Sequence, residues 1–163
     1  MASSSSSATS SQSPKKYDVF ISFRGEDTRL NFTSHLHEAL RSKQIYTYIH
    51  YRLEKGDGVW PSLEKAIQDS ILFLVIFSEN YASSTWCLKE LAKILECSKN
   101  EGHLVMPVFY RVDPSHIRKQ SGSYQKAFEQ HEHKGIDKQQ LQNWREALTH
   151  AANISGWHCG VDR

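Results

Sequence analysis

Apolar residues come in short unbroken runs, separated by longer segments in which they recur every three or four positions. Buried strands alternating with amphipathic helices leave this trace. The first run, Tyr17-Asp18-Val19-Phe20-Ile21-Ser22, is stopped by Arg24-Gly25 and reads as a buried strand. Phe32, Leu36, Ala39 and Leu40 follow at helical spacing, with Asp27 or Thr28 placed to cap that helix. Ile45 to Ile49 predicts a second strand on its β-branched and aromatic content. The next stretch, Tyr51-Arg52-Leu53-Glu54-Lys55-Gly56-Asp57-Gly58, has the glycines and charges of an exposed connection, and Pro61 suits the first turn of a helix through Ile67.

Leu72 to Phe77 is apolar without alternation, as a central parallel strand covered on both faces requires. Thr85 opens a helix to about Ser98, with Leu88, Leu91, Ile94 and Leu95 on its buried stripe. Leu104 to Tyr110 is the fourth strand, where Pro107 favours an edge-leaning place or a bulge. Asp113-Pro114-Ser115 starts a short helical turn, and Gly122-Ser123 separates it from a helix near Tyr124 to His131. A last amphipathic helix, Leu141 to Ile154, presents Leu141, Trp144, Ala147, Leu148 and Ala151 to the core, and Gly156 to Cys159 adds a short final strand. The fold class is therefore α/β, a doubly wound parallel sheet of four or five strands. In such sheets ligands bind beyond the carboxyl ends of the strands. The loops to watch are Phe23-Arg24-Gly25-Glu26-Asp27 and Ser78-Glu79-Asn80-Tyr81.

Composition narrows the class. The chain's 163 residues suit one domain, and 20 basic against 18 acidic residues supply no strong field for nucleic acid. Its longest apolar run, Ile71 to Phe77, is seven residues where a membrane-spanning helix needs about 20. Residues 1–14 are serine-rich without a secretory h-region and read as a disordered tail, with a second short tail at 160–163. Cys87, Cys97 and Cys159 make an odd count without a CxxC pair, which indicates neither a disulfide framework nor a cysteine-rich zinc site.

Several chemistries are excluded by missing residues. No GxGxxG follows the first strand and no Walker loop occurs. A phosphate-receiver domain would need an Asp ending the third strand, which here ends Phe77-Ser78. The only tight histidine group is His131-Glu132-His133, whose rings fall about 200° apart on a helix and cannot share one metal, so a solvated face and no metal site are expected. Ser34, His35 and Asp27 could be assembled into a triad on paper, but Ser34 and His35 are helix neighbours facing different ways without an elbow turn.

What remains is the start of the helix that Thr85 opens. Trp86 and Glu90 lie one turn apart on a flank shared with Lys93 and Cys97, near the expected crevice. Two readings are open: half-buried packing with Glu90 paired to Lys93 or Lys89 at the surface, or an aromatic face and a carboxylate serving a ligand. Arg24, Arg29, Lys55 and the backbones of Gly25 and Gly56 would then converge on a phosphate-bearing ligand.

Three segments carry a resemblance. Tyr17 through Arg29 (YDVFISFRGEDTR), Phe77 through Leu91 (FSENYASSTWCLKEL), and Pro107 through Ser115 followed by Arg118-Lys119-Gln120-Ser121-Gly122 are similar to the plant Toll/interleukin-1 receptor (TIR) domains of disease-resistance proteins, over about residues 15 to 158. The resemblance implies a flavodoxin-like domain, residues 15–159, that cleaves NAD+ between ribose and nicotinamide when several copies assemble. Nucleotide signals for cell death in pathogen defence are released. It gives Glu90 the catalytic role, assigns phosphate and base binding to Phe23, Arg24 and Gly25, and adds Trp86 for stacking, with Arg29, Lys55, Gly56 and Cys87 as further substrate-binding candidates. NAD+ or NADP+ is a substrate and no cofactor is expected. The implied partners are other TIR domains, up to a tetramer, with nucleic acid at most a weak partner through Cys87 and no membrane; the implied compartment is the cytoplasm or nucleus.

The resemblance also implies self-association surfaces. Ser34-His35 on the first helix matches a pair that the family uses together with its last helix, and Gly122 with the helix after it matches a second contact. One departure stands out: His50-Tyr51 occupies positions where the family usually has two acidic residues, while Leu53, Gly56 and Val59 still match. Changed charge there bears on assembly, so a non-catalytic adaptor that only binds other TIR domains stands beside the enzyme as the alternative.

Overall fold

The computed structural model describes residues 15–49, 60–101 and 103–159. The serine-rich 1–14, the glycine-containing connection 50–59 and residues 160–163 lie outside them. Five parallel strands form one sheet in the order β2-β1-β3-β4-β5, with β1 Tyr17–Ser22, β2 Thr47–Tyr48, β3 Ser70–Phe77, β4 Leu104–Tyr110 and β5 Trp157–Cys159. Helices join them: α1 Gly25–Thr28 runs through a π-helical turn Arg29–Thr33 into α2 Ser34–Ser42. Next come α3 Trp60–Gln68, a 3-10 turn Tyr81–Ser83, α4 Thr85–Glu101, α5 Pro114–Arg118, α6 Ser123–His133 and α7 Lys138–Ala152.

Alternate strand residues separate two cores, as the pleat demands. On one face Phe20, Phe73, Val75, Phe77 and Phe109 pack against α3, α4, α6 and α7 through residues such as Leu63, Leu88, Leu91, Phe128, Trp144 and Leu148. Val19, Ile21, Leu74, Ile76 and Val108 on the other face receive Phe32, Leu36 and Leu40 from the α1–α2 segment. That second face is covered unevenly: Leu104 and Trp157 are 68% and 65% exposed. The winding reverses between β1 and β3, whose carboxyl ends stand side by side with Ser22 in register with Val75.

Four expectations are corrected. Neither Asp27 nor Thr28 caps the first helix, because the helical segment already begins at Gly25 and Asp27 bonds across to the β3 loop instead. Ala39, expected on the apolar stripe, is exposed. The second strand shrinks from Ile45–Ile49 to two residues: β2 is an edge strand, and the Tyr46 N–H goes to the Asp18 carboxylate (2.9 Å). His131 is buried, with Nε2 2.8 Å from the Ala82 carbonyl and its ring edge-on to Phe128 and Trp144. Glu132 and His133 do lie on a solvated face, and no cluster of metal-ligating side chains occurs among the described residues. Pro107 lies inside the sheet, yet β5 pairs only from Val108 onward, so no ladder runs beside the proline on that side.

Candidate functional site

The crevice beyond β1 and β3 is built by polar groups that end apolar strands. Leaving β1, Phe23 is buried in the second-face core, and Arg24 starts the turn into α1. Arg24 is already engaged: one guanidinium nitrogen meets Glu26 and another meets Asp27 at 2.7 Å. Asp27 also accepts from the Ser78 hydroxyl (2.5 Å) and the Asn80 N–H (3.0 Å). This carboxylate therefore joins the loop after β1 to the loop after β3, the two segments flagged from the strand order alone. Tyr124, buried on α6, completes the support by donating to the Ser78 carbonyl at 2.7 Å.

Helix α4 delivers the remaining side chains. The Ser84 hydroxyl just before it accepts from the Cys87 N–H at 3.1 Å, satisfying one of the free donors at the helix start. Cys87 is buried, and its thiol donates to the Phe23 carbonyl (3.5 Å), bringing α4 onto the end of β1. One turn on, Glu90 is only 6% exposed and accepts from the Ser22 hydroxyl at 2.8 Å. The Ser22 oxygen lies 2.8 Å from the Tyr81 hydroxyl, which also donates to the Cys87 carbonyl at 3.2 Å. Burial, then the nearby Cys87 and Glu90, pushes the Tyr81 phenol well above its ordinary value of 10.0. Tyr81 is consequently a hydroxyl donor throughout the physiological range.

The surface reading of Glu90 is overturned by this geometry. Lys93 turns instead to Glu64 (3.1 Å) and Glu96 (3.3 Å); burial works against its ammonium, but the two carboxylates outweigh that and raise its pKa. Lys89 lies over aromatic rings, 4.6 Å from the centroid of Trp60 and 5.6 Å from that of Trp86. The two indoles meet edge to face at 5.7 Å, so Trp86 forms an aromatic corner with the first residue of α3 at the rim of the site.

Of the expected site residues, Cys87 and Glu90 are joined to the end of β1 through the Phe23 carbonyl and Ser22, and Trp86 stands one turn from Glu90; the Phe23 ring is turned into the second-face core, and Arg24, next to Gly25, is paired to its own acids. Lys55 and Gly56 lie outside the described residues with His50, Tyr51, Leu53 and Val59, and only the backbone of Arg29 is described. Ser34 is partly buried and His35 exposed on α2. The last helix, α7, packs on the opposite face of the sheet, so the described residues do not bring that pair and α7 into one surface. Gly122 is exposed at φ +63°, ahead of α6. Sequence reasoning gave no site role to Ser22, Tyr81, Asp27, Ser78 or Trp60, although the two loops it flagged contain Asp27, Ser78 and Tyr81. A signal was there for two of them, since Ser22 and Ser78 are polar residues closing apolar strands at the switch point.

Comparison with known proteins follows the same outline. A family model described as the TIR domain matches residues 16–161. The disease resistance protein RPV1 of Vitis rotundifolia is 55% identical over 162 residues, covering 99% of this chain and 11% of that protein. The TMV resistance protein N of Nicotiana glutinosa is 54% identical over 158 residues, 96% of this chain and 13% of that protein. The chain thus spans only about a tenth of the length of the curated relatives it matches. Among solved structures, the TIR domains of the activated Roq1 resistosome, which directly recognises the pathogen effector XopQ, superpose with a TM-score of 0.80 at 50% identity, covering 88% of this chain and 87% of that one.

Proposed function

The chain belongs to the TIR domain family, with relatives among plant disease resistance proteins, and from that premise we propose that it is an NAD+ nucleosidase switched on by self-association. The observation that carries the reading is Glu90: a carboxylate buried at the carboxyl edge of the sheet, held by Ser22 and one helical turn from the Trp86 corner. Nicotinamide in NAD+ is a cationic leaving group, so its departure needs no general acid, in contrast to glycosidases that use two carboxylates. As the bond from ribose C1′ to the ring nitrogen breaks, its electron pair stays with nicotinamide, which leaves neutral. Positive charge develops on the ribose, and Glu90 stabilises it electrostatically, more strongly as water is excluded. Water then adds at C1′ and loses its proton to give ADP-ribose, or a nucleophile within the ADP-ribosyl group closes a cyclic product.

Assembly enters because in the lone chain the phosphate-binding candidate Arg24 is held by its own acids. Arg24 is paired to Glu26 and Asp27, and an incoming phosphate must compete with those acids. Assembly of TIR domains in the Roq1 resistosome supports contacts between copies as the trigger. NADP+ is a second substrate of the same class.

The test is NAD+ loss followed by chromatography over a wide range of protein concentration with a crowding agent, beside Glu90→Ala. Loss that rises faster than linearly with protein and disappears in the variant is expected. Undiminished loss in Glu90→Ala would remove Glu90 from the chemistry. Complete inactivity of folded protein at the highest concentration would instead support the adaptor role.

A further inference from the structure

We propose that Ser22 and Tyr81 are positioning residues that orient the Glu90 carboxylate and keep it ionised. The inference rests on the reading of Glu90 as catalytic. Three side chains from three elements meet here: Ser22 ends β1, Tyr81 opens the 3-10 turn after β3, and Glu90 lies on α4. Ser22 and Tyr81 have no exposed surface, and Glu90 has 6%. A charged carboxylate accepts only, so the Ser22 proton must point to Glu90 across the 2.8 Å contact. That leaves the Ser22 oxygen as an acceptor facing the Tyr81 hydroxyl at 2.8 Å. Tyr81 has one proton to share between Ser22 and the Cys87 carbonyl at 3.2 Å, and burial keeps that proton in place.

The direction of every donor is thereby set, Tyr81 to Ser22 to Glu90. No proton is transferred along it. A preorganised donor spares reorganisation when charge develops on the substrate, which is where such a bond aids catalysis. It also favours the charged form of the carboxylate.

The decisive variant is Ser22→Ala, which removes this one donor while leaving Tyr81 its bond to the Cys87 carbonyl. Turnover of NAD+ is expected to fall about tenfold with KM changed less than about twofold, and the acid limb of the kcat–pH profile to move up by about one unit. Ser22→Thr, which keeps a hydroxyl, restores both. A readout independent of turnover is the carboxyl carbon-13 NMR titration of Glu90, assigned with Glu90→Gln, whose midpoint also rises by about one unit in Ser22→Ala. A midpoint that stays put in a folded Ser22→Ala protein overturns the inference, whatever turnover does. Should the parent consume no NAD+ at all, the nucleosidase reading fails, and the titration still decides whether Ser22 holds the carboxylate. If circular dichroism shows Ser22→Ala unfolded, Tyr81→Phe replaces it: a shift of about half a unit in the same direction supports the chain of donors, and no shift refutes it.

Discussion

Asp27→Ala tests whether the crevice is held together by one carboxylate. Asp27 joins two loops, its partners Ser78 and Asn80 lying 51 and 53 positions away along the chain. Its side chain is 14% exposed and Ser78 is buried, so water replaces the lost acceptor poorly at Ser78 and better at Asn80. Hydrogen bonds to a charged partner contribute roughly 1.5–3 kcal/mol each, and one stranded donor costs about 1–3 kcal/mol. The Arg24 contact, with the guanidinium 23% exposed, adds on the order of 0.5 kcal/mol. Taking the low end of each bond because Asn80 is partly solvated gives a loss of about 3 kcal/mol for Asp27→Ala. Asp27→Asn keeps one acceptor oxygen but turns an NH2 toward Arg24, for about half that loss.

Urea unfolding followed by circular dichroism measures it. With a slope of about 1.5–2 kcal/mol/M for a chain of this size, the midpoint falls by about 1.5–2 M with the slope unchanged. A double-mutant cycle with Ser78→Ala separates a real bond from general damage, since partners in contact couple by about 1 kcal/mol or more. Asp27→Ala costing less than about 1 kcal/mol, or strict additivity with Ser78→Ala, refutes the claim that this carboxylate ties the loops.

Other positions answer to single measurements. In Gly156→Ala the added Cβ would lie 2.2 Å from the Pro107 carbonyl oxygen, so β5 must shift away from β4; a loss above about 2 kcal/mol in urea and faster amide exchange at Val108 to Tyr110 are expected. Gly122→Ala meets backbone strain at φ +63°, ψ −130° and a 3.1 Å approach to His116 Nδ1, for a loss of roughly 1–3 kcal/mol by the same assay. Burial, then Cys87 and Asp27, raises the Tyr124 phenol well above 10.0. A group whose folded pKa is raised gives stability that is complete below the unfolded value and is lost as pH climbs toward the folded one. The stability of the parent therefore falls above about pH 10 more steeply than that of Tyr124→Phe, by up to about 1.4 kcal/mol per pH unit, and equal slopes in the two proteins would disprove it.

Strands β1, β3 and β4 and helices α4 and α7 were legible because periodicity and burial coincide in them: each apolar run or stripe has a core to face. The edge strand β2 was not, since its five-residue run contains Tyr46, which is 69% exposed, and edge pairing is decided by neighbours that the local pattern does not report. His131 illustrates a signal left unused. Tyr124, Ala127, Phe128 and His131 follow the i, i+3, i+4, i+7 stripe and are all buried, so helical phase had already placed the histidine inside. The phase that sets His131 and His133 about 200° apart, too far round the helix to share a metal, is the one that turns His131 inward, against the solvated face expected of it.

A stripe of the same kind on α4 explains why the site is where it is. Cys87, Glu90, Leu91, Ile94 and Cys97 fall on one face of α4 and are all buried, which makes Glu90 a charged residue in a core position. In β1 and after β3, Ser22 and Tyr81 are likewise hydroxyls at positions with no exposure. Each alone breaks the local rule that buried periodic positions are apolar, and each would be costly if unpaired. They are 59 and 68 residues apart from Ser22 along the chain, yet the parallel crossovers bring them within 2.8 Å of it. Independent exceptions that satisfy one another in space cost little stability only as a set. Substituting one removes a partner from its neighbour, so the three side chains are energetically coupled. Apolar burial holds the fold, and these polar exceptions locate the chemistry at the carboxyl edge of the sheet.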